Sequence, residues 1–150
     1  IEFYYFPIID NNKKNQENKI LEILKSTKSE LIVLARYMQI LSSNFCAEIE
    51  GKGINIHHSF LPGFKGSKPY HQAYERGVKI VGASAHYITK DLDEGPLISQ
   101  ETIPVNHSMT PKILSDMGKD VESLVLAKSV KLHCERRIFI NKNKTVILDI

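Results

Sequence analysis

Cysteine is scarce in this chain: Cys46 and Cys134 are the only two in 150 residues. They stand alone, without Cys-x-x-Cys spacing, so the sequence offers neither a zinc site nor a redox pair, and a reducing cytoplasm is the expected compartment. Charge of one sign is also lacking, since 20 Lys and Arg against 17 Asp and Glu leave a net +3 at pH 7. An excess that small argues for neither a nucleic acid nor a membrane surface as partner. No apolar run is long enough to span a bilayer, and no secretory signal opens the chain. Internal repeats and low-complexity tracts are missing as well. What remains is an ordinary globular composition at the usual size of one domain.

The hydrophobic pattern is α/β. Residues 31–35 are continuously apolar, as expected of a parallel strand covered on both faces. Residues 1–7 read as a short strand. The polar run 10–19 reads as the exposed start of a helix, because Ile20, Ile23 and Leu24 follow at helical spacing. Ser42 or Ser43 can cap a short helix containing Phe45 and Ile49. Residues 96–105 form a further strand. Thr110 and Pro111 open a long helix with Ile113, Leu114, Met117, Val121, Leu124, Val125 and Leu132 in its apolar stripe and Gly118 as a candidate bend. Residues 137–140 and 145–148 flank an Asn/Lys turn and predict a hairpin.

The chemistry concentrates between Asn55 and Pro96. In Gly53-Ile54-Asn55-Ile56-His57, β-branched residues alternate with an amide and an imidazole, so Asn55 and His57 share a strand face. Pro62 and Gly63 break the structure that follows. A second strand, 79–88, runs into an acidic loop holding Asp91, Asp93 and Glu94. The helical pattern between them, 69–76, stopped by Gly77, makes a parallel crossover the expected connection. Asp93 would then face His57 across a crevice at the carboxyl ends of both strands.

An amide that never titrates, an imidazole and a carboxylate can together stabilise an oxyanion and move a proton. The competing reading is a solvent-facing polar pair and a carboxylate that only solvates a turn. His58 is expected on the opposite face in a structural role. His86 is equally compatible with orienting a catalytic group and with being a satisfied core histidine. His71, His107 and His133 have no partner at metal-ligand spacing, and no metal is expected.

Several segments carry a resemblance when taken in order. They are Leu34-Ala35-Arg36-Tyr37-Met38-Gln39-Ile40-Leu41, Asn55-Ile56-His57-His58-Ser59-Phe60-Leu61-Pro62, Phe64-Lys65-Gly66, the run 69–79, and Asp91-Leu92-Asp93-Glu94-Gly95-Pro96. The chain resembles the folate-dependent formyl hydrolases and formyltransferases, whose signature is the Asn-x-His strand with the Asp-Leu-Asp-x-Gly-Pro loop. His58, Phe60 and the segment Pro69-Tyr70-His71-Gln72-Ala73-Tyr74 are similar to the deformylase branch rather than to the transferases.

The resemblance implies a Rossmann-like formyltransferase fold, with a mostly parallel sheet flanked by helices. It implies Asn55, His57 and Asp93 as the catalytic trio. It implies a folate slot built from Met38, Gln39, Ile40 and Leu41 on one side and Ile88, Thr89, Lys90, Asp91 and Leu92 on the other. For Met38, Ile40 and Leu41, ordinary core packing fits the pattern equally well.

The implied activity is hydrolysis of 10-formyltetrahydrofolate to formate and tetrahydrofolate, with no cofactor, supplying formate for purine synthesis. The folate is then the small-molecule partner, without nucleic acid or membrane, and the full-length enzyme a homo-oligomer. The alternatives are a glycinamide ribonucleotide formyltransferase-like enzyme and a non-catalytic, truncated remnant. The resemblance also implies an ACT-type domain and the first strand–helix units before Ile1, along with a glycine-rich phosphate turn. Without them, the strand at 31–35 is expected to be a self-associating edge.

Overall fold

The computed structural model describes residues 2–7, 12–63 and 69–148. Phe64, Lys65 and Gly66 of the family-like run lie outside the described residues, as do residues 8–11 at the expected helix start. Four strands, β1 (Ile32–Leu34), β2 (Gly53–His57), β3 (Ile80–Tyr87) and β4 (Leu97–Pro104), form one sheet in that spatial order. The helices are α1 (Lys13–Ser26), α2 (Ser43–Glu48), α3 (Pro69–Arg76) and α4 (Pro111–Cys134), and β5 (Ile138–Asn141) pairs with β6 (Lys144–Ile147) as the expected hairpin. No helix among the described residues is long and apolar enough to cross a membrane.

The local signals account for most boundaries. Ser42 caps α2, its hydroxyl accepting from the Phe45 N–H at 3.2 Å. Thr110 caps α4 in the same way, with Pro111 in the first turn, where its missing N–H costs nothing. Gly77 ends α3 at φ +63, a left-handed conformation that glycine adopts freely. The expected strand at 1–7 is corrected, because residues 2–7 have no ladder partner and form no strand. They rest on α1 instead, where Gln16 Nε2 donates to the Phe6 carbonyl and Lys19 stands over the Phe6 ring.

The sheet is mixed. β1 pairs with β2 in parallel, but β2 with β3 and β3 with β4 are antiparallel. The expected parallel crossover between β2 and β3 is therefore corrected. The connection through α3 leaves and returns at the same end of the sheet, and β3 runs back alongside β2 with His57 opposite Ser84 and Asn55 opposite His86. Residues directly opposite on antiparallel strands share a face. Asn55, His57 and His86 thus line up on one side by register alone.

The other side is apolar. Ile54, Ile56, Ala83, Ala85 and Tyr87 pack with Val121, Val125 and Leu132 of α4. A second cluster, Leu21, Phe45, Cys46 and Ile49, closes against Ile32 and Leu34 of β1. Val33 is on the face of its partner Ile54 yet is 40% exposed at the sheet edge, so β1 is not buried on both faces as its apolar run suggested. Gly118 serves as a notch. A Cβ there would lie 1.9 Å from the Tyr70 hydroxyl, so its missing side chain lets α3 pack against α4.

Gly95 has a similar role in the acidic loop. A Cβ at this position would lie 1.7 Å from the Tyr87 carbonyl oxygen and 3.2 Å from His86 Nδ1. The loop that carries Asp93 can pass β3 this closely only over glycine. Gly95→Ala is expected to cost about 1–3 kcal/mol through overpacking, measured by urea denaturation. A change below about 0.5 kcal/mol, the usual range for a neutral surface site, would show that the loop does not need the close approach.

Candidate active site

The geometry of the site begins with the turn at Asp93. This residue adopts φ +56, a left-handed conformation uncommon for a residue with a side chain. The backbone thereby doubles back, and the carboxylate reaches two imidazoles on different strands. Oδ2 lies 3.4 Å from His57 Nδ1 and Oδ1 lies 3.6 Å from His86 Nε2. Both distances exceed the ordinary hydrogen-bond range and are ion-pair approaches, of the kind that tighten when a site takes up its substrate. Hydrogen bonding to His57, then to His86, holds the Asp93 carboxyl well below the usual carboxylate range, against the opposing effect of burial.

Each imidazole is oriented by what its other nitrogen meets. His86 Nδ1 lies 2.9 Å from the Tyr87 carbonyl, an acceptor only, so Nδ1 carries the proton. In the neutral ring Nε2 is then the acceptor, 3.2 Å from Asn55 Nδ2, which donates to it. This contact turns the Asn55 amide and leaves its second N–H for another acceptor. His57 presents Nδ1 to Asp93, while its Nε2 is buried and has no hydrogen-bond partner among the described residues. A buried, unsatisfied nitrogen on a catalytic-type imidazole marks a position awaiting a ligand or a water.

Past His57 the chain is held down by Ser84, which is fully buried. Its hydroxyl accepts from the Leu61 N–H, donates to the Ser59 carbonyl, and accepts from Gln100 Nε2, all within 2.9 Å. These bonds fix the exit of β2 and, with it, the His57 ring.

Asn55, His57 and Asp93 open onto one cleft of about 570 Å³, a size suited to a small organic ligand. Met38, Gln39, Ile40, Leu41, Ile88, Thr89, Lys90, Asp91 and Leu92 all line the same cleft. Met38 at 62% and Ile40 at 63% exposure are therefore not core residues, whereas Leu41 packs against the α1–α2 cluster. His58 was expected on the far face and instead borders the cleft, edge-on to both His57 and Tyr70. β2 ends at His57, so strand alternation no longer directs the next side chain. Burial, then the neighbouring His57, pushes the His58 imidazole below its ordinary value.

Sequence reasoning did not find Arg36, Tyr70 and Glu122, which also border the cleft. Nothing in the local pattern marks them, since their meeting depends on how α3 and α4 pack. Among the described residues, no group of three or more His, Cys, Asp or Glu is arranged to hold a metal ion.

The formyl transferase family model matches residues 9–130 of the chain. Over 99% of its length, the chain is 52% identical to the formyltetrahydrofolate deformylase of Corynebacterium sp. (strain P-1), covering 52% of that protein. Among solved structures, the formyltetrahydrofolate deformylase of Burkholderia mallei is 51% identical with a TM-score of 0.91, over 97% of this chain and 52% of that one. The phosphoribosylglycinamide formyltransferase of Anaplasma phagocytophilum is 34% identical with a TM-score of 0.84, over 88% of this chain and 65% of that one. The chain spans about half the length of the curated relatives it matches.

The depressed Asp93 carboxyl has a consequence for stability. A group that titrates lower in the folded than in the unfolded chain stabilises fully above its unfolded value, about 4 for aspartate. That contribution is lost as pH falls from there through the depressed folded value. Thermal melts from pH 5 downward should therefore show a steeper loss in the wild type than in Asp93→Asn. Parallel profiles would mean that the two histidines do not hold this carboxylate.

Proposed function

The chain belongs to the formyl transferase family, and from that premise we propose that it carries the reaction centre of a hydrolase that converts 10-formyltetrahydrofolate to formate and tetrahydrofolate. The observation that carries the reading is the meeting of Asn55, His57 and Asp93 in one cleft with the exposed apolar groups of Met38, Ile40 and Leu92. Those three groups suit the flat ring of a folate. Greater similarity to the deformylases than to the transferases favours water as the acceptor.

The chemistry follows from the hydrogen bonds. Water oxygen bonds to the formyl carbon and drives the carbonyl electrons onto oxygen. The free N–H of Asn55 donates to that oxyanion, already aimed by His86, so little reorganisation is required at the moment of reaction. His57 Nε2 takes a proton from the water and returns it to N10 as the C–N10 bond breaks. Asp93 keeps His57 in the tautomer that leaves Nε2 open and stabilises the ring while it is charged. Formic acid leaves and ionises to formate, and tetrahydrofolate follows. The steps use no cofactor. In this reading the full-length enzyme is a cytoplasmic homo-oligomer that supplies formate for purine synthesis.

In the full-length protein, formate release from 10-formyltetrahydrofolate is expected without any amine acceptor. Asn55→Ala should lower turnover by about a hundred- to a thousandfold, the usual effect of removing one oxyanion donor. Asp93→Asn should lower it by about ten-thousandfold, as when a charged partner that fixes a histidine tautomer is neutralised. Formyl transfer to glycinamide ribonucleotide with no release to water would favour the transferase reading. Near-normal turnover in Asp93→Asn would remove that residue from the mechanism.

A further inference from the structure

Beside the reacting groups lies a second polar cluster that takes no part in those steps. Glu122 on α4 is buried, with both carboxylate oxygens occupied. Tyr70 Oη donates to Oε1 at 2.9 Å, and Arg36 Nη2 lies 3.6 Å from Oε2. Burial, then the charge of Glu122, pushes the Tyr70 phenol well above its usual range, so it stays protonated as the donor. The Tyr70 ring is seated in the notch at Gly118. His58 links this cluster to the reacting groups, with ring centroids 5.1 Å from His57 and 6.4 Å from Tyr70.

Arg36 follows β1 at φ +54, where glycine is the unstrained choice. A buried carboxylate beside an acyl-transfer centre is the natural anchor for an incoming ammonium group or a hydroxyl. Here the chain itself supplies a cation to one oxygen and a hydroxyl to the other.

We propose that Arg36, Tyr70 and Glu122 form an acceptor-excluding wall, in which the Arg36 guanidinium and the Tyr70 hydroxyl occupy the carboxylate that would otherwise anchor a donor group of an amine substrate away from its reacting nitrogen, leaving water as the nucleophile. This deepens the hydrolase reading and rests on it. The excluded reaction is balanced in the same way as hydrolysis. An amine nitrogen bonds to the formyl carbon, the C–N10 bond breaks, the proton shed by the amine passes to N10, and a formamide leaves in place of formate. Arg36, Tyr70 and Glu122 are specificity-determining residues and touch no reacting atom.

The test uses the full-length protein as wild type, Arg36→Gly and Arg36→Lys. Glycine is unstrained at this φ, so its backbone conformation is retained. Each protein is given 10-formyltetrahydrofolate with glycinamide, a small primary amine, and the ratio of N-formylglycinamide to formate is measured. A ratio does not depend on how much total turnover a variant retains. Arg36→Gly should raise it at least about tenfold, with Arg36→Lys close to wild type. An unchanged ratio in Arg36→Gly overturns the wall.

Glycinamide binding, followed by NMR titration without folate, gives a readout independent of hydrolysis. Binding to Arg36→Gly and not to wild type is expected, while equal binding to both, or to neither, overturns the proposal. Wild-type protein that binds the folate yet releases no formate defeats the hydrolase reading instead.

Discussion

The carboxylate of Asp93, held between His57 and His86, is the contact on which the remaining organisation depends. It joins a loop to two strands, and each joined part is shaped to permit it. Asp93 accepts a left-handed backbone, Gly95 lets the loop pass the Tyr87 carbonyl, and the antiparallel register sets His86 opposite Asn55. Ser84 then holds the chain beyond His57 with two hydrogen bonds and accepts a third from Gln100. Such a network is sensitive to single changes, because a buried polar group deprived of its partner costs more than the pair contributes.

His86 gives the arrangement its logic. Its Nδ1 is committed to a backbone carbonyl, so Nε2 faces both Asn55 Nδ2 and Asp93 Oδ1. As an acceptor it aims the amide, and as a donor it serves the carboxylate, one at a time. Asn55 and the His57–Asp93 pair are thus coupled through one ring. The Arg36–Glu122–Tyr70 cluster borders the same cleft and is joined to this group by His58. In the proposed hydrolase, one side of the cleft would handle the proton, and the other would govern which nucleophile arrives.

Much of this was legible in the residues. Alternation along β2 is enough to set Asn55 and His57 on one face, and Ser42, Thr110 and Gly77 mark helix ends through local hydrogen bonding and φ preference alone. The direction of β3 was not legible. A connection containing a helix can serve a parallel crossover or return to the same end, and local periodicity is the same in both cases. His86 was consequently left undecided, since only the antiparallel register puts it opposite Asn55. His58 was misdirected because the strand ends one residue before it. Glu122 looks like any polar residue on an amphipathic helix until Tyr70 and Arg36 arrive from distant elements.

The central claim, that Asn55 and His57 address the formyl group while Asp93 holds the imidazole, is tested most directly by a crystal structure of the protein with a non-hydrolysable N10-formyl folate analogue. The account predicts the formyl oxygen within hydrogen-bond distance of Asn55 Nδ2, His57 Nε2 facing the formyl carbon or N10, and Asp93 still between the two histidines. A formyl group directed away from Asn55, or an Asp93 carboxylate released from His57 on binding, would contradict it.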